Sequence, residues 1–519
     1  MMFDTSGDKE LKKRIGRAGI IIAFLLVLAI PWKIDNSMEK ATEKQDEEEQ
    51  QESSPQTDLE KEYYQQIESD IHTILNIGNS VFFGGYPIND SFLLWVADTY
   101  GEEILRELSS TMQQHLETQN TWYELTGNSI HVLWLLYGKD MQYETYSWED
   151  VKWVECKDEH VTRIDFTGDI NLDENWYTMT TLNDQSGDMA DCIDASIQQE
   201  LQNADISVIN NEFTFSDRGE AQAGKAYTFQ ANPNRVSLLE AFGADIASLA
   251  NNHVYDYGAD ALLDTITTLE NAGISTVGAG KNIEEAKKAQ FVVANGKKIG
   301  FVSATEIEKY YKYTKEATAT EPGVLKTLDP ETFLSVIKEV DSQCDYVIVY
   351  VHWGIEGWNQ YSTGQRDLAA QFIEAGADVI IGGHPHRLQG VQFIEQVPVA
   401  YSLGNFWFST GTLYTTIAQI EIDHSGELSL RMIPCIQQNV KTRMLTEETE
   451  TAEFYQYLAD ISSNIVIDSQ GKIYDEATLD LESLEQEENL FYSGQKYGQW
   501  QDDLDLEGYA IDIVGNRTS

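Results

Sequence analysis

The sequence predicts an α/β protein, a layered sandwich with sheets inside and helices outside. Three observations carry that expectation. From Val161 onward, short runs rich in Val, Ile, Leu, Phe and Ala alternate with helix-length amphipathic segments. Asn295-Gly296 joins two apolar runs, and both residues tolerate positive φ, so the pair marks a two-residue hairpin. Polar clusters also stand just beyond five of the apolar runs, and in α/β folds the carboxyl ends of neighbouring parallel strands converge on one crevice.

In chain order, 163–166 reads as a strand, 189–203 as a helix and 206–209 as a strand. A polar, glycine-containing stretch, 216–229, interrupts. The alternation resumes with a helix at 234–242, a strand at 246–249, a helix at 259–272 and a strand at 275–277. After the hairpin come 345–351, 367–375, 378–381, 391–394 and 399–403, and 417–423 with 428–434 read as closing strands. A helix at 452–464 precedes an acidic, weakly patterned tail.

A chain of 519 residues is long enough for two or three folded units. Its formal charge of −51 repels phosphate backbones at long range, so no nucleic acid is expected as a partner. Cys156, Cys192, Cys344 and Cys435 form no C-x-x-C pair, which leaves no cysteine zinc cluster.

The amino-terminal end runs against the acidic trend. Residues 1–17 form a basic stub containing Lys12-Lys13-Arg14, and 18–34 is apolar enough for a single membrane anchor, with Arg17 and Lys33 able to snorkel. A cleaved signal peptide is the competing reading of the same span, since Val27-Leu28-Ala29 suits a cleavage site. The basic side of an anchor stays cytoplasmic, so the rest of the chain is expected outside the cell membrane. Residues 35–61, rich in Glu, Gln, Ser and Lys, read as a disordered linker. A helical accessory region is expected over 62–155, the layered α/β domain over 156–435, and a helix with an acidic tail over 436–519.

The polar clusters contain Asp169, Glu212, Asn252 with His253, His352, and His384 with His386. Carboxylate, amide and imidazole delivered together from strand ends are the composition of a divalent metal site. A two-metal site needs ligands for both ions, a bridging carboxylate and an open face. Asp169 and His386 suit one ion, Glu212 the bridge, and Asn252, His352 and His384 the other. One or two ions of Mn, Zn or Fe fit this donor set. Asn171 and Asn405 stand close enough in sequence to be further ligands or loop-shaping residues.

Six stretches carry a more specific signal: Thr167-Gly168-Asp169-Ile170, Asn210-Asn211-Glu212-Phe213, residues 248–258 around Asn252-His253, His352-Trp353-Gly354, residues 376–386 ending in His384-Pro385-His386, and Tyr401-Ser402-Leu403-Gly404-Asn405-Phe406. In this order they resemble the CapA family of capsule-synthesis proteins associated with poly-γ-glutamate, whose fold is similar to calcineurin-like metallophosphoesterases. The resemblance spans 161–410. It implies a metallophosphoesterase-like sandwich, a membrane-anchored role in capsule biosynthesis with an envelope polymer or its synthesis complex as partner, and His253 as a catalytic general acid. Two departures stand out: Asn171 occupies the place of a metal-binding histidine, and Glu212 that of a bridging aspartate. A metal-dependent hydrolase and a non-catalytic scaffold subunit of a polymer synthesis or export complex are therefore both compatible with the sequence.

Overall fold

The computed structural model describes residues 55–118, 120–142, 150–307, 313–479 and 490–494, with the side chains of 55–60 left aside. The expected anchor at 18–34 lies outside these residues. No helix among the described residues is long and apolar enough to cross a membrane.

The described residues divide into two compact units, one up to residue 121 and the other from residue 122 onward. In the first, helices Pro55–Ile77, Asp90–Tyr100 and Glu103–Gln113 bury Ile71, Ile74, Phe92, Leu93, Val96, Ile104, Leu105 and Leu108. The first helix starts inside the stretch that composition marks as linker, with a proline at its opening position, where the missing N–H is no loss. Asn89 caps the second helix by accepting from the Phe92 N–H.

The larger unit is a four-layer sandwich. One sheet has seven strands in the order Val151–Val154, Gln290–Ala294, Lys297–Thr305, Tyr346–His352, Val379–Gly383, Val397–Ala400, Val391–Ile394. The other has eleven strands, and Leu413–Asp423, Val161–Ile170, Ile206–Asn211, Ile246–Ser248 and Ser275–Val277 lie side by side, the last of them at the sheet's edge. Between the sheets, Ile164, Phe166, Val208 and Ile246 of one meet Ile299, Phe301, Ile348, Val379 and Ile381 of the other. Helices cover both outer faces. Ile197, Leu201, Leu239, Phe242 and Leu269 pack on the larger sheet, and Phe333, Ile337, Val340, Leu368 and Phe372 on the smaller.

The Asn295-Gly296 hairpin has positive φ at both residues, as a two-residue turn between right-twisted strands requires. Segment 151–154, expected within a helical region, is instead a strand parallel to 291–294. Strands continue past the last expected helix: after helix Glu448–Asp460, strands Ile465–Ile467, Lys472–Asp475 and Phe491–Tyr492 extend the larger sheet.

A repeated device fixes the starts of the parallel strands. Asp205, Asp245, Asp345 and Asp378 each stand immediately before a strand. Their N–H groups donate to the carbonyls of Arg163, Ser207, Lys298 and Val347 on the neighbouring strands. Their carboxylates accept from the N–H of those same four residues. Each aspartate thus clasps one residue of its neighbour by both backbone groups, which sets register. With the amino ends pinned, the carboxyl ends of both sheets arrive together at one edge.

Candidate metal centre

Asp169 and Glu212 come from adjacent parallel strands, where Asp169 pairs with Asn210 and Ile170 with Asn211. Asn252 and His253 follow strand Ile246–Ser248. From the other sheet, His352 ends its strand opposite Gly383, and His384 and His386 leave the next strand at once. The sheets approach so closely here that a Cβ on Gly383 would lie 2.8 Å from Asp169 Oδ1. A Cβ on Gly168 would fall 2.0 Å from the Gly404 carbonyl. Both glycines are required by close approach rather than by turn geometry.

His384 and His386 adopt φ of 98° and 54°. Non-glycine residues held in this region cost about 1–3 kcal/mol each and persist where the surroundings over-determine them. Here the strain turns two imidazoles from one short loop into the same buried space.

Two groups of donor atoms form, Glu212–His352–His384 and Asp169–Glu212–His386, each with its atoms within 4.8 Å of one another. Glu212 is common to both. His352 Nε2 lies 3.5 Å from Glu212 Oε1 and 2.8 Å from Asn252 Oδ1, which brings Asn252 to the first group. His386 Nδ1 lies 3.1 Å from Asp169 Oδ2, and its Nε2 is 3.8 Å from Glu212 Oε1. Asp169, Glu212, Asn252, His352, His384 and His386 are thus gathered at one place.

The donor chemistry fits divalent cations. Glu212 Oε1 and His384 Nδ1 are buried and make no hydrogen bond among the described residues, and Asp169 Oδ2 has only the His386 ring nitrogen, 3.1 Å away, to face. Such orphaned groups cost about 1–3 kcal/mol apiece unless something satisfies them. All three offer lone pairs. Two carboxylates and three imidazoles sharing a dry space with unused lone pairs form a cation-shaped arrangement.

Electrostatics agree. Burial, with the Asp169 charge beside it, pushes Glu212 well above the usual carboxylate range. Burial drives His352 down to about 3, and burial together with the adjoining His352 and His386 holds His384 well below its ordinary value. His386 moves the other way. Burial lowers it, but the Glu212 and Asp169 carboxylates more than offset this and hold it up to about 9. Without an ion, the His386 proton supplies the positive charge that the two carboxylates demand.

Surrounding residues orient these groups. Asn210 Nδ2 donates to Asp169 Oδ1 at 2.8 Å and reaches Glu212 Oε2 at 3.4 Å. Asn251 holds Asn210 and caps the loop by accepting from the His253 and Val254 N–H groups. Asn405 Oδ1 lies 2.8 Å from His386 Nδ1 and so orients that ring. Asn171 Oδ1 accepts the Asp173 N–H at 2.8 Å, which commits its oxygen to the loop. His253 Nδ1 lies 2.7 Å from Asp256 Oδ2, and Lys225 pairs with Asp256 and with the Asn252 carbonyl. Burial, with Lys225 nearby, lowers His253 to about 4, so its imidazole is neutral at pH 7.

Sequence reasoning did not single out Asn210, Asn251 and Lys225 as site residues, whereas Asp256 was legible as a hydrogen-bond partner for His253, three residues before it. Asn210 had a legible signal, because it stands two residues before Glu212 and side chains two apart on a strand share a face. Lys225 lies in the polar stretch 216–229, where nothing in the pattern sets it apart.

Fold and site together define an α/β sandwich with a paired carboxylate–histidine cluster at the carboxyl edge of its two sheets. Residues 163–410 match the family model described as "Bacterial capsule synthesis protein PGA_cap", and this region of the chain belongs to that family. The chain is 34% identical over 217 residues to the PGA biosynthesis protein CapA of Bacillus subtilis, covering 41% of this chain and 56% of that protein. It is 31% identical over 249 residues to the capsule biosynthesis protein CapA of Bacillus anthracis, covering 47% and 60%. A probable polyglutamine synthesis accessory protein of Mycobacterium tuberculosis is 30% identical over 211 residues, covering 39% of this chain and 55% of that protein. The chain therefore spans little more than half the length of these curated relatives.

Proposed function

We propose that this protein serves the biosynthesis of an envelope polymer of the poly-γ-glutamate type, and that its sandwich domain is a divalent-metal centre with hydrolytic capacity. The carrying observation is the pair of donor groups sharing Glu212. The names of the three relatives support the polymer. When bound, Mn, Zn or Fe ions supply Lewis-acid polarisation and neutralise charge. Asp169, Glu212 and His386 would hold one ion, and Glu212, Asn252, His352 and His384 the other. Asn210 and Asn405 orient those ligands. His253, held at Nδ1 by Asp256, keeps Nε2 for proton transfer.

One observation favours a second reading, a non-catalytic accessory subunit. Asn171 replaces the histidine of the metallophosphoesterase pattern with its oxygen already committed, which leaves three protein ligands on that side. Metal analysis of the purified protein followed by a phosphoester and γ-glutamyl peptide screen separates the two. A metal-free, inactive protein would leave the accessory role.

Ion binding should be proton-linked. A ligating His386 must be neutral, and its neighbours hold it up to about 9. Below that value the affinity of the Asp169–Glu212–His386 position should rise about tenfold per pH unit between 7 and 9, with a proton released per ion. Chelator competition at several pH values measures this. An affinity independent of pH over that range would mean that His386 either is not a ligand or carries no proton there without the ion.

We further propose that residues 18–34 anchor the protein with its folded units outside the cytoplasm, from the basic cluster ahead of the apolar span. Protease added to intact protoplasts should remove the folded units and leave a short membrane stub. Complete protection would reverse the topology, and a soluble form beginning near residue 30 would show cleavage.

A further inference from the structure

Asn171 is fully buried. Its backbone continues the strand edge, donating to the Trp407 carbonyl at 3.0 Å and accepting from Thr178 Oγ1. Ile170 and Leu172, on either side of it, both belong to the core beneath the helices. Alternation therefore places Asn171 on the opposite face, the one it shares with Asp169. Its Oδ1 takes the Asp173 N–H, and this fixes which end of the amide is which, since a flip would set NH₂ against N–H. Nδ2 is left buried, facing away from that bond, with no acceptor among the described residues.

The other orphaned atoms at the centre, on Glu212 and His384, carry lone pairs and call for a cation. Asn171 Nδ2 is a donor and cannot bind one. It calls for an acceptor, and the acceptor that accompanies a cation in such a site is an anionic oxygen. We propose that Asn171 Nδ2 donates a hydrogen bond to an oxyanion, a phosphoryl or carboxylate oxygen of the bound substrate, at the Asp169–Glu212–His386 end of the centre. Where the metallophosphoesterase pattern places a metal ligand, this chain places a substrate donor. The proposal rests on the reading of the centre as one that handles such a group.

The test is calorimetric titration of the full-length protein with inorganic phosphate and, separately, with γ-glutamylglutamate, metal content being measured in each sample. Asn171→Asp keeps the oxygen that holds the Asp173 N–H and removes the donor. Asn171→Leu removes both. Wild type should bind at least one probe, and the probe it binds identifies the source of the oxyanion. Both variants should bind that probe at least about tenfold more weakly, as befits a hydrogen bond to a charged group. Asn171→Asp should lose no metal. Variants that bind as tightly as wild type would overturn the proposal, as would a wild type that binds neither probe. Wild type that is metal-free yet binds a probe through Asn171 would retain this inference while removing the metal reading, so the two failures are distinguishable.

Discussion

His384→Gly should strip the protein of most of its metal while leaving the fold as stable as before, or slightly more so. Glycine is the informative substitution because φ at this position is 98°, where a Cβ is strained and glycine is not. Removing the imidazole also removes a buried nitrogen with no hydrogen bond among the described residues. Both changes favour the metal-free fold. Affinity should fall by more than the ~10–100-fold that loss of an outer partner of a metal ligand typically costs, since this is the ligand itself. His352 is different: it ends a central strand and is fully buried against Asn252 and Asn210. His352→Ala should therefore lose metal and stability together. Metal content by plasma emission spectroscopy and thermal melting of each variant give the two readouts. A double variant at 352 and 384 with wild-type metal content would show that the ligand set is wrong.

The layered architecture was legible because parallel α/β units write themselves as alternating apolar runs and amphipathic helices, and the polar residues after those runs end at one edge. Asp169, Glu212, His352, His384 and His386 were readable for that reason. The aspartate clasps were also written in the sequence, as Ala204-Asp205, Ala244-Asp245, Cys344-Asp345 and Ala377-Asp378 ahead of four strands. An aspartate before a strand ordinarily reads as a turn residue, so its bond to the next strand emerges only from the sheet order. The strands near the carboxyl end escaped notice because they are two to four residues long in acidic surroundings, too short for a period of two to register. The strain at His384 and His386 was likewise hidden, since a positive φ at a histidine leaves no mark in the hydrophobic pattern.

The largest effect on turnover is expected at His253. Its neighbours assign its protons: Asp256 Oδ2 takes the hydrogen on Nδ1, Lys225 holds Asp256, and Phe229 covers the ring at 4.4 Å between centroids. Burial, with Lys225, lowers the imidazole to about 4, so at pH 7 Nε2 carries a lone pair rather than a proton. To protonate a leaving oxygen, His253 must first take a proton at Nε2 from the attacking water and then hand it on, which conserves protons over the cycle. The neutral form is then the competent one, and activity should be lost as pH falls through about 4. General acid–base groups contribute ~10²–10⁴-fold, and His253→Ala should lose activity by that order with its metal content unchanged. The deficit should shrink on nitrophenyl esters, whose leaving group needs no proton. A variant that loses metal in proportion to activity would make His253 a support for Asn252 instead. Wild type inactive on phosphomonoesters, phosphodiesters and γ-glutamyl peptides with Mn²⁺ or Zn²⁺ present would end the hydrolase reading, and the Asp256–His253 pair would then serve only to brace the loop that carries Asn252.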